Sequence, residues 1–197
     1  MSITAKQIAD LRAKTGIGMM DCKKALEEAE GNEEKAIELL RKRGAMKAAK
    51  KAERETKAGI VESYIHSNGQ IGVMVELLAE TDFVTRNDEF KGFAHDVALQ
   101  IAAMNPKYIG KEDVPADVLE KEKEVLMEQT KAEGKPAEIA MKIVEGRIGK
   151  FYEENCLLYE PFIKDNTKTI EELLTEKIAK IGEKIVISRF CRFEIGA

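Results

Sequence analysis

Tryptophan is absent from this chain, histidine occurs twice and cysteine three times in 197 residues. Each scarcity excludes something. Without tryptophan the core must be aliphatic, with Phe and Tyr in places. Cys22, Cys156 and Cys191 are odd in number and far apart, which fits a reducing compartment better than a disulfide framework. They also lack C-x-x-C spacing and any nucleophile signature. His66 and His95 have no Cys or carboxylate neighbour at metal-ligand spacing, so neither a metal nor a cofactor is expected. No apolar run approaches the roughly 20 residues a bilayer requires. The segment Met1-Ser2-Ile3-Thr4-Ala5-Lys6 lacks the apolar stretch of a signal peptide. The expectation is a cytoplasmic chain without membrane contact. Gly16-Ile17-Gly18 joins two helical patterns, with no third glycine and no Gly-Lys-Ser after it, so it is a poor phosphate loop. With no catalytic constellation in view, the chain is not expected to be an enzyme.

Charge, by contrast, is abundant. Charged residues make up 35% of the chain and apolar residues 44%, with a formal net charge of −4. An ordinary globular protein has about a quarter charged residues, so long solvated helix faces are expected. The mildly acidic balance makes nucleic acid an unlikely partner, because broad binding needs a net basic footprint. One basic run stands against it: Arg41, Lys42, Arg43, Lys47, Lys50, Lys51 and Arg54. It reads more readily as a solvated linker face, and it lacks the interleaved aromatics of a single-strand binder. An RNA- or ribosome-binding module using this run is the alternative reading.

The hydrophobic pattern begins helical. Thr4 with Gln7 forms a capping-box pattern, and Ile3 is placed to staple onto Ile8. Gly16 stops this first helix. A second starts near Met19 or Met20, carries Cys22, Ala25, Leu26 and Ala29, and closes at Gly31. Asn32 caps a third, with Ala36, Ile37, Leu39 and Leu40 inward and Gly44 as its end. Residues 45–57 are Ala-rich and charged without a broad apolar stripe, which reads as a solvent-bridging helical linker.

The period then shortens. Gly59 to Ser67 is rich in β-formers, Asn68-Gly69 is a strong hairpin signal whose turn positions take positive φ, and Ile71, Val73, Val75 and Leu77 run back. The second strand is apolar on both faces at its end, so it should be central or covered. A helix is expected from about Arg86 to Met104, capped by Thr85 or Asn87, with Phe90, Phe93, Ala94, Val97, Ile101 and Met104 buried and Asn105-Pro106 as its stop. Pro115 opens a charged helix to about Ala132. Pro136 opens another, with Met141, Val144, Ile148 and Phe151 on one face. Thr169 with Glu172 opens a last helix that ends at Gly182, and residues 184–195 form a β-rich run. Two strands early and one at the end, with helices between, predict an α+β core: a three-stranded antiparallel sheet with covering helices. The expected division is a three-helix N-terminal module at 1–44, the linker at 45–57 and the core domain at 58–197.

Two segments are odd on structural grounds. One is Leu11-Arg12-Ala13-Lys14-Thr15-Gly16-Ile17-Gly18-Met19-Met20-Asp21-Cys22-Lys23-Lys24-Ala25-Leu26. The other is Glu76-Leu77-Leu78-Ala79-Glu80-Thr81-Asp82-Phe83-Val84-Thr85-Arg86-Asn87. Both resemble the signature segments of elongation factor Ts, the bacterial nucleotide exchange factor for the GTPase elongation factor Tu, and the order of elements along the whole chain is similar to that family's. The resemblance implies that residues 1 to about 50 form a module like a ubiquitin-associated domain that docks on the GTPase. It implies that Thr81, Asp82, Phe83 and Val84 form the acting turn, whose Asp-Phe pair enters a crevice of the GTPase and disturbs the surroundings of its Mg²⁺. On the residues alone, Phe83 fits burial in this chain's own core equally well. Arg12, Met19, Met20 and Lys23 are lesser contact candidates; helix packing and solvation account for them as readily. Longer members of the family carry two related halves in their core and this chain has room for one. A homodimer is therefore implied, as in other short members, with Cys191 on the final strand near its symmetry mate.

Overall fold

The computed structural model describes residues 3–133 and 136–196; Met1 and Ser2 of the N-terminal segment lie outside them. The fold is α+β, with N-terminal helices followed by a three-stranded antiparallel sheet and further helices. Its helices are α1 (Ala5–Thr15), α2 (Met19–Glu28), α3 (Glu33–Lys51), α4 (Asp82–Thr85), α5 (Asp88–Met104), α6 (Ala116–Ala132), α7 (Ala137–Asn155) and α8 (Ile170–Ile181). Its strands are β1 (Ala58–Ile65), β2 (Ile71–Ala79), β3 (Pro161–Phe162), β4 (Asp165–Thr169) and β5 (Ile185–Glu194). The chain forms two compact units. One comprises Met1–Glu62, Glu76–Ala94 and Glu172–Ser188; the other comprises Ser63–Val75, His95–Glu171 and Arg189–Ala197.

The N-terminal helices start and stop where side-chain chemistry requires. Thr4 and Gln7 form a reciprocal capping box, and Gly16 ends α1 in the left-handed region at φ 67°, where a Cβ would be strained. Asn32 accepts from the Lys35 amide at 3.0 Å and opens α3. Ile8, Leu11, Cys22, Ala25, Leu26, Ala29, Ala36 and Leu40 pack into one cluster, with Ile3, Ile17, Ile37 and Leu39 at its edge. Gly44, expected as a stop, lies inside α3, which continues to Lys51. A Cβ on Gly44 would sit 3.4 Å from the Ala179 Cβ of α8. This glycine therefore serves close helix packing, a role that a local sequence pattern cannot distinguish from a helix end.

The sheet order is β1-β2-β5, so β2 is central, as its apolar faces require. Val73, Val75, Leu77 and Ala79 are buried along it. The Asn68-Gly69 hairpin exists with a different turn from the one expected. Only Gly69 has positive φ there; its amide donates to the His66 carbonyl at 2.7 Å, and the His66 amide donates to Ile71 at 2.9 Å. The Asn68 side chain accepts from the Gln70 amide at 3.0 Å, the local self-bonding by which Asn favours turns. The α5 stripe of Phe90, Phe93, Ala94, Val97 and Ile101 is buried, whereas Met104, at the helix end, is exposed. Leu126, Val144 and Ile148 hold α6 against α7, while Met141 is exposed. The small antiparallel pair β3–β4, in register Pro161↔Thr169 and Phe162↔Asp165, has no counterpart in the sequence reading.

Candidate functional site

The segment from Glu80 to Asn87 is built from its two ends inward. Where central strand β2 finishes, Glu80 and Thr81 are each tied to the stretch that leads into β5. The Thr81 amide donates to Glu183 Oε2 at 3.0 Å and its hydroxyl donates to Glu183 Oε1 at 2.7 Å. In return, the Lys184 amide donates to Glu80 Oε1 at 2.6 Å. Arg54 Nη1 reaches the same carboxylate at 3.2 Å. That main-chain N–H first, and then Arg54, hold the Glu80 carboxyl below its ordinary pKa against the opposing effect of desolvation. The Lys184 ammonium also donates to the carbonyls of Ala52 and Arg54, at 2.6 and 2.8 Å.

Past these bonds the chain makes one helical turn, α4. Val84 and Thr85 turn inward and are buried; the Thr85 hydroxyl donates to the Asp82 carbonyl at 2.9 Å. Asp82 and Phe83 turn outward. Asp82 pairs with Arg86 at 2.7 Å, both side chains remaining mostly in water. Phe83 is 80% exposed. Asn87 then accepts from the Glu89 amide at 2.8 Å and starts α5. Glu89 anchors that first turn to α8 through Lys177 at 2.6 Å and Lys180 at 2.5 Å. Burial alone would raise the Glu89 carboxyl, but the two lysines hold it below its ordinary pKa.

Thr81, Asp82, Phe83 and Val84 are thus contiguous on one short, firmly held turn, with Asp82 and Phe83 facing solvent and Val84 facing the core. The lesser candidates occupy the N-terminal module: Arg12 on α1, and Met19, Met20 and Lys23 on α2, all four exposed and outside the cluster around Cys22. Lys23 lies 3.8 Å from Glu27. Cys191 is exposed on β5 and unpaired, whereas Cys22 and Cys156 are buried. Burial, reinforced by Asp113, Glu112 and Glu160, pushes the Cys156 thiol up to about 11. Glu183 was invisible to sequence reasoning, because an isolated Glu after a helix-ending glycine carries no local signal.

Most of the basic run is engaged within the protein. Lys42 pairs with Glu38 at 2.7 Å, Arg43 with Glu28 at 2.5 Å and Lys47 with Asp21 at 2.8 Å. Lys51 donates to the Gly182 carbonyl and Arg54 reaches Glu80. Among the described residues, no group of three or more His, Cys, Asp and Glu side chains is placed to hold a metal ion, and no helix is long and apolar enough to cross a membrane.

The family model described as elongation factor TS matches residues 3–197. A curated elongation factor Ts from Carboxydothermus hydrogenoformans is 59% identical over 98% of this chain and 89% of its own length. One from Fervidobacterium nodosum is 55% identical over the full length of both chains, and one from Alkaliphilus oremlandii is 59% identical over all of this chain and 90% of its own. Agreement of this extent covers the N-terminal module, the Thr81–Val84 turn and the final strand together, and the chain belongs to the elongation factor Ts family of translation factors.

Proposed function

We propose that this chain is a guanine nucleotide exchange factor that binds elongation factor Tu in the cytoplasm and promotes release of its GDP, performing no bond chemistry itself. The observation that carries this reading is Phe83: a large apolar ring standing in water on a turn bonded firmly at its base. Free in solution, that exposure stabilises nothing, whereas aromatic side chains that enter a partner's pocket are typical binding hot spots. Asp82, next to it, adds a carboxylate. Entering a crevice beside the GTPase's nucleotide, the pair would shift the surroundings of its Mg²⁺. That ion demands near-ideal octahedral geometry, so small displacements weaken it strongly. Each ~1.4 kcal/mol removed from the release barrier speeds GDP loss tenfold. Linkage makes the effect reciprocal: if the factor weakens GDP binding, GDP weakens factor binding by the same ratio. Arg12, Met19, Met20 and Lys23 supply a second contact from the N-terminal module, where exposed methionines suit an adaptable surface.

The same reading makes the chain a homodimer. β5 is an edge strand, and Cys191, Phe193 and Ile195 on and just beyond it are exposed. Sedimentation with and without reductant tests this; a monomer at micromolar concentration in both conditions overturns it. For the exchange activity, release of fluorescent GDP from elongation factor Tu is measured with and without the native protein. Acceleration is expected, and its absence refutes the proposal. The RNA reading is disfavoured because most of the cations it needs are engaged within the protein. A steep salt-dependent affinity for RNA would revive it.

A further inference from the structure

We infer that Glu183 is a positioning residue for the Asp82–Phe83 turn, acting through Thr81 on a partner that Glu183 does not itself touch. The inference rests on the exchange reading above and adds a residue to it.

The geometry is a reciprocal clamp. Two consecutive residues at the end of β2 and two consecutive residues before β5 exchange side-chain to main-chain bonds: Glu183 accepts from the Thr81 amide, and Glu80 accepts from the Lys184 amide. The partners are 102 and 104 residues apart in the chain, so the clamp is a tertiary feature. The Thr81 hydroxyl gives Glu183 its second bond, and this has a local consequence. Thr81 is the residue before the first turn of α4, with extended backbone at φ −130° and ψ 158°. A threonine there normally turns its oxygen back to accept from the helix amides. This one makes no such capping bond, because its hydroxyl is directed at Glu183. The short turn that presents Phe83 therefore gives up its own cap and is held by a carboxylate from elsewhere in the fold. Both Thr81 donors are fixed by one half-buried carboxylate, so the clamp restricts where the chain leaves β2 and hence where Phe83 points. Displacing a positioned group by about 1 Å can cost on the order of a hundredfold in rate.

A positioning role predicts a particular split. In Glu183→Ala, the GDP release rate at saturating factor should fall about tenfold. The concentration giving half-saturation should change less than about twofold, since the ring and the N-terminal contacts remain. Glu183→Gln should recover most of the rate, because the amide can accept from the Thr81 amide and donate to its hydroxyl. Thr81→Val, which keeps the main-chain bond and loses the hydroxyl, should fall between. The Glu183→Ala/Thr81→Val double variant should be no worse than Glu183→Ala alone, as two members of one interaction require. All rates are read well below each variant's unfolding midpoint, and Thr81→Val decides the matter should Glu183→Ala fail to fold. Native saturating rates in Glu183→Ala, or in Thr81→Val if that variant stands in for it, overturn the inference, as does a loss confined to half-saturation. If Phe83→Ala is impaired while these variants are not, the inference fails and the exchange reading survives. If the native protein does not accelerate release, the exchange reading itself fails.

Discussion

Replacing Phe83 by Ala should separate docking from folding within a single side chain. Fully burying a Phe side chain is worth about 1.5–3 kcal/mol relative to leaving it in water. Because Phe83 is 80% exposed in the free protein, nearly all of that remains available to a partner. Removal should therefore weaken the productive complex by about 2 kcal/mol, or about 30-fold. The protein's own stability should change by no more than about 0.5 kcal/mol, as at other surface positions. Phe90, seven positions on in sequence and fully buried, is the control. Phe90→Ala should cost about 3–5 kcal/mol of folding free energy by leaving a cavity. Urea titrations followed by circular dichroism measure the stabilities, and fluorescent GDP release from elongation factor Tu, titrated with factor, measures the exchange. If Phe83→Ala lowers stability by several kcal/mol, the ring is a core residue and the wedge reasoning is wrong. If it leaves both stability and exchange untouched, the ring is an ordinary surface side chain and the reasoning is equally wrong.

Glu160 gives a pH signature. It is fully buried, its Oε1 has no partner, and Gln100 donates to its Oε2 at 2.9 Å; burial raises its pKa from the ordinary 4.5 to about 7, opposed only by Gln100. A carboxyl whose pKa is raised on folding costs nothing below its unfolded value and progressively more as pH rises toward its folded one, so stability should fall between about pH 4.5 and 7, by at most about 3 kcal/mol. Thermal midpoints should show that decline in the native protein and a flatter profile in Glu160→Gln, and identical profiles would exclude Glu160 as the source. At Gly44, alanine fits at the limit of ordinary contact distance and gains up to about 1 kcal/mol of helix propensity, whereas leucine overpacks the site and should cost about 1–3 kcal/mol; a denaturant midpoint that leucine leaves unchanged or raises would contradict the close-packing role. A Cβ on Gly59 would stand 2.6 Å from the Leu77 carbonyl oxygen, so Gly59→Ala should lower the midpoint measurably. Cys22 and Cys156 should resist an aromatic disulfide reagent at pH 8 until the protein unfolds; fast labelling of either in the native protein would refute the burial assignment.

Sequence was most informative where a structural decision is local. Thr4 and Gln7 cap α1, Gly16 ends it and Asn32 opens α3 through bonds spanning three or four residues, and those partners are adjacent in any reading of the chain. The central position of β2 was also legible, because Leu77, Leu78 and Ala79 are apolar in succession at its end, although in the structure only the Val73, Val75, Leu77 and Ala79 face is buried and Met74 on the other is exposed. Elsewhere the deciding partner is distant. Gly44 looks like a helix end until Ala179 of α8 is placed beside it. The β3–β4 pair is two and five residues long, begins with a proline and has a polar second strand, Asp165–Thr169, so it shows no hydrophobic period. Asp82–Thr85 is too short to register as a helix separate from α5. Within the candidate site, Thr81 to Val84 were named from a resemblance to a family segment that is contiguous in the sequence, whereas Glu183 carries no such local motif and reaches them only through the fold.

That difference follows from what the proposed wedge would require. The ring must stand in water, so it contributes nothing to holding itself in place. A single helical turn is far below the length at which a helix is stable alone. Order at α4 must therefore come from its neighbours. Val84 and Thr85 are buried beneath it, Asn87 caps the next helix, and Glu183 and Lys184 fix the residues before it. The exposed pair is set between two anchored positions and spans only Asp82 and Phe83. Loosening either anchor would leave the ring's chemistry unchanged and enlarge the set of directions it samples. The fraction of encounters in which it enters a crevice would then fall, without any change in the crevice itself. In the proposed exchange, the residues that would make contact, Asp82 and Phe83, are distinct from those that hold them, and among the latter Glu183 and Lys184 lie about a hundred residues away in the sequence.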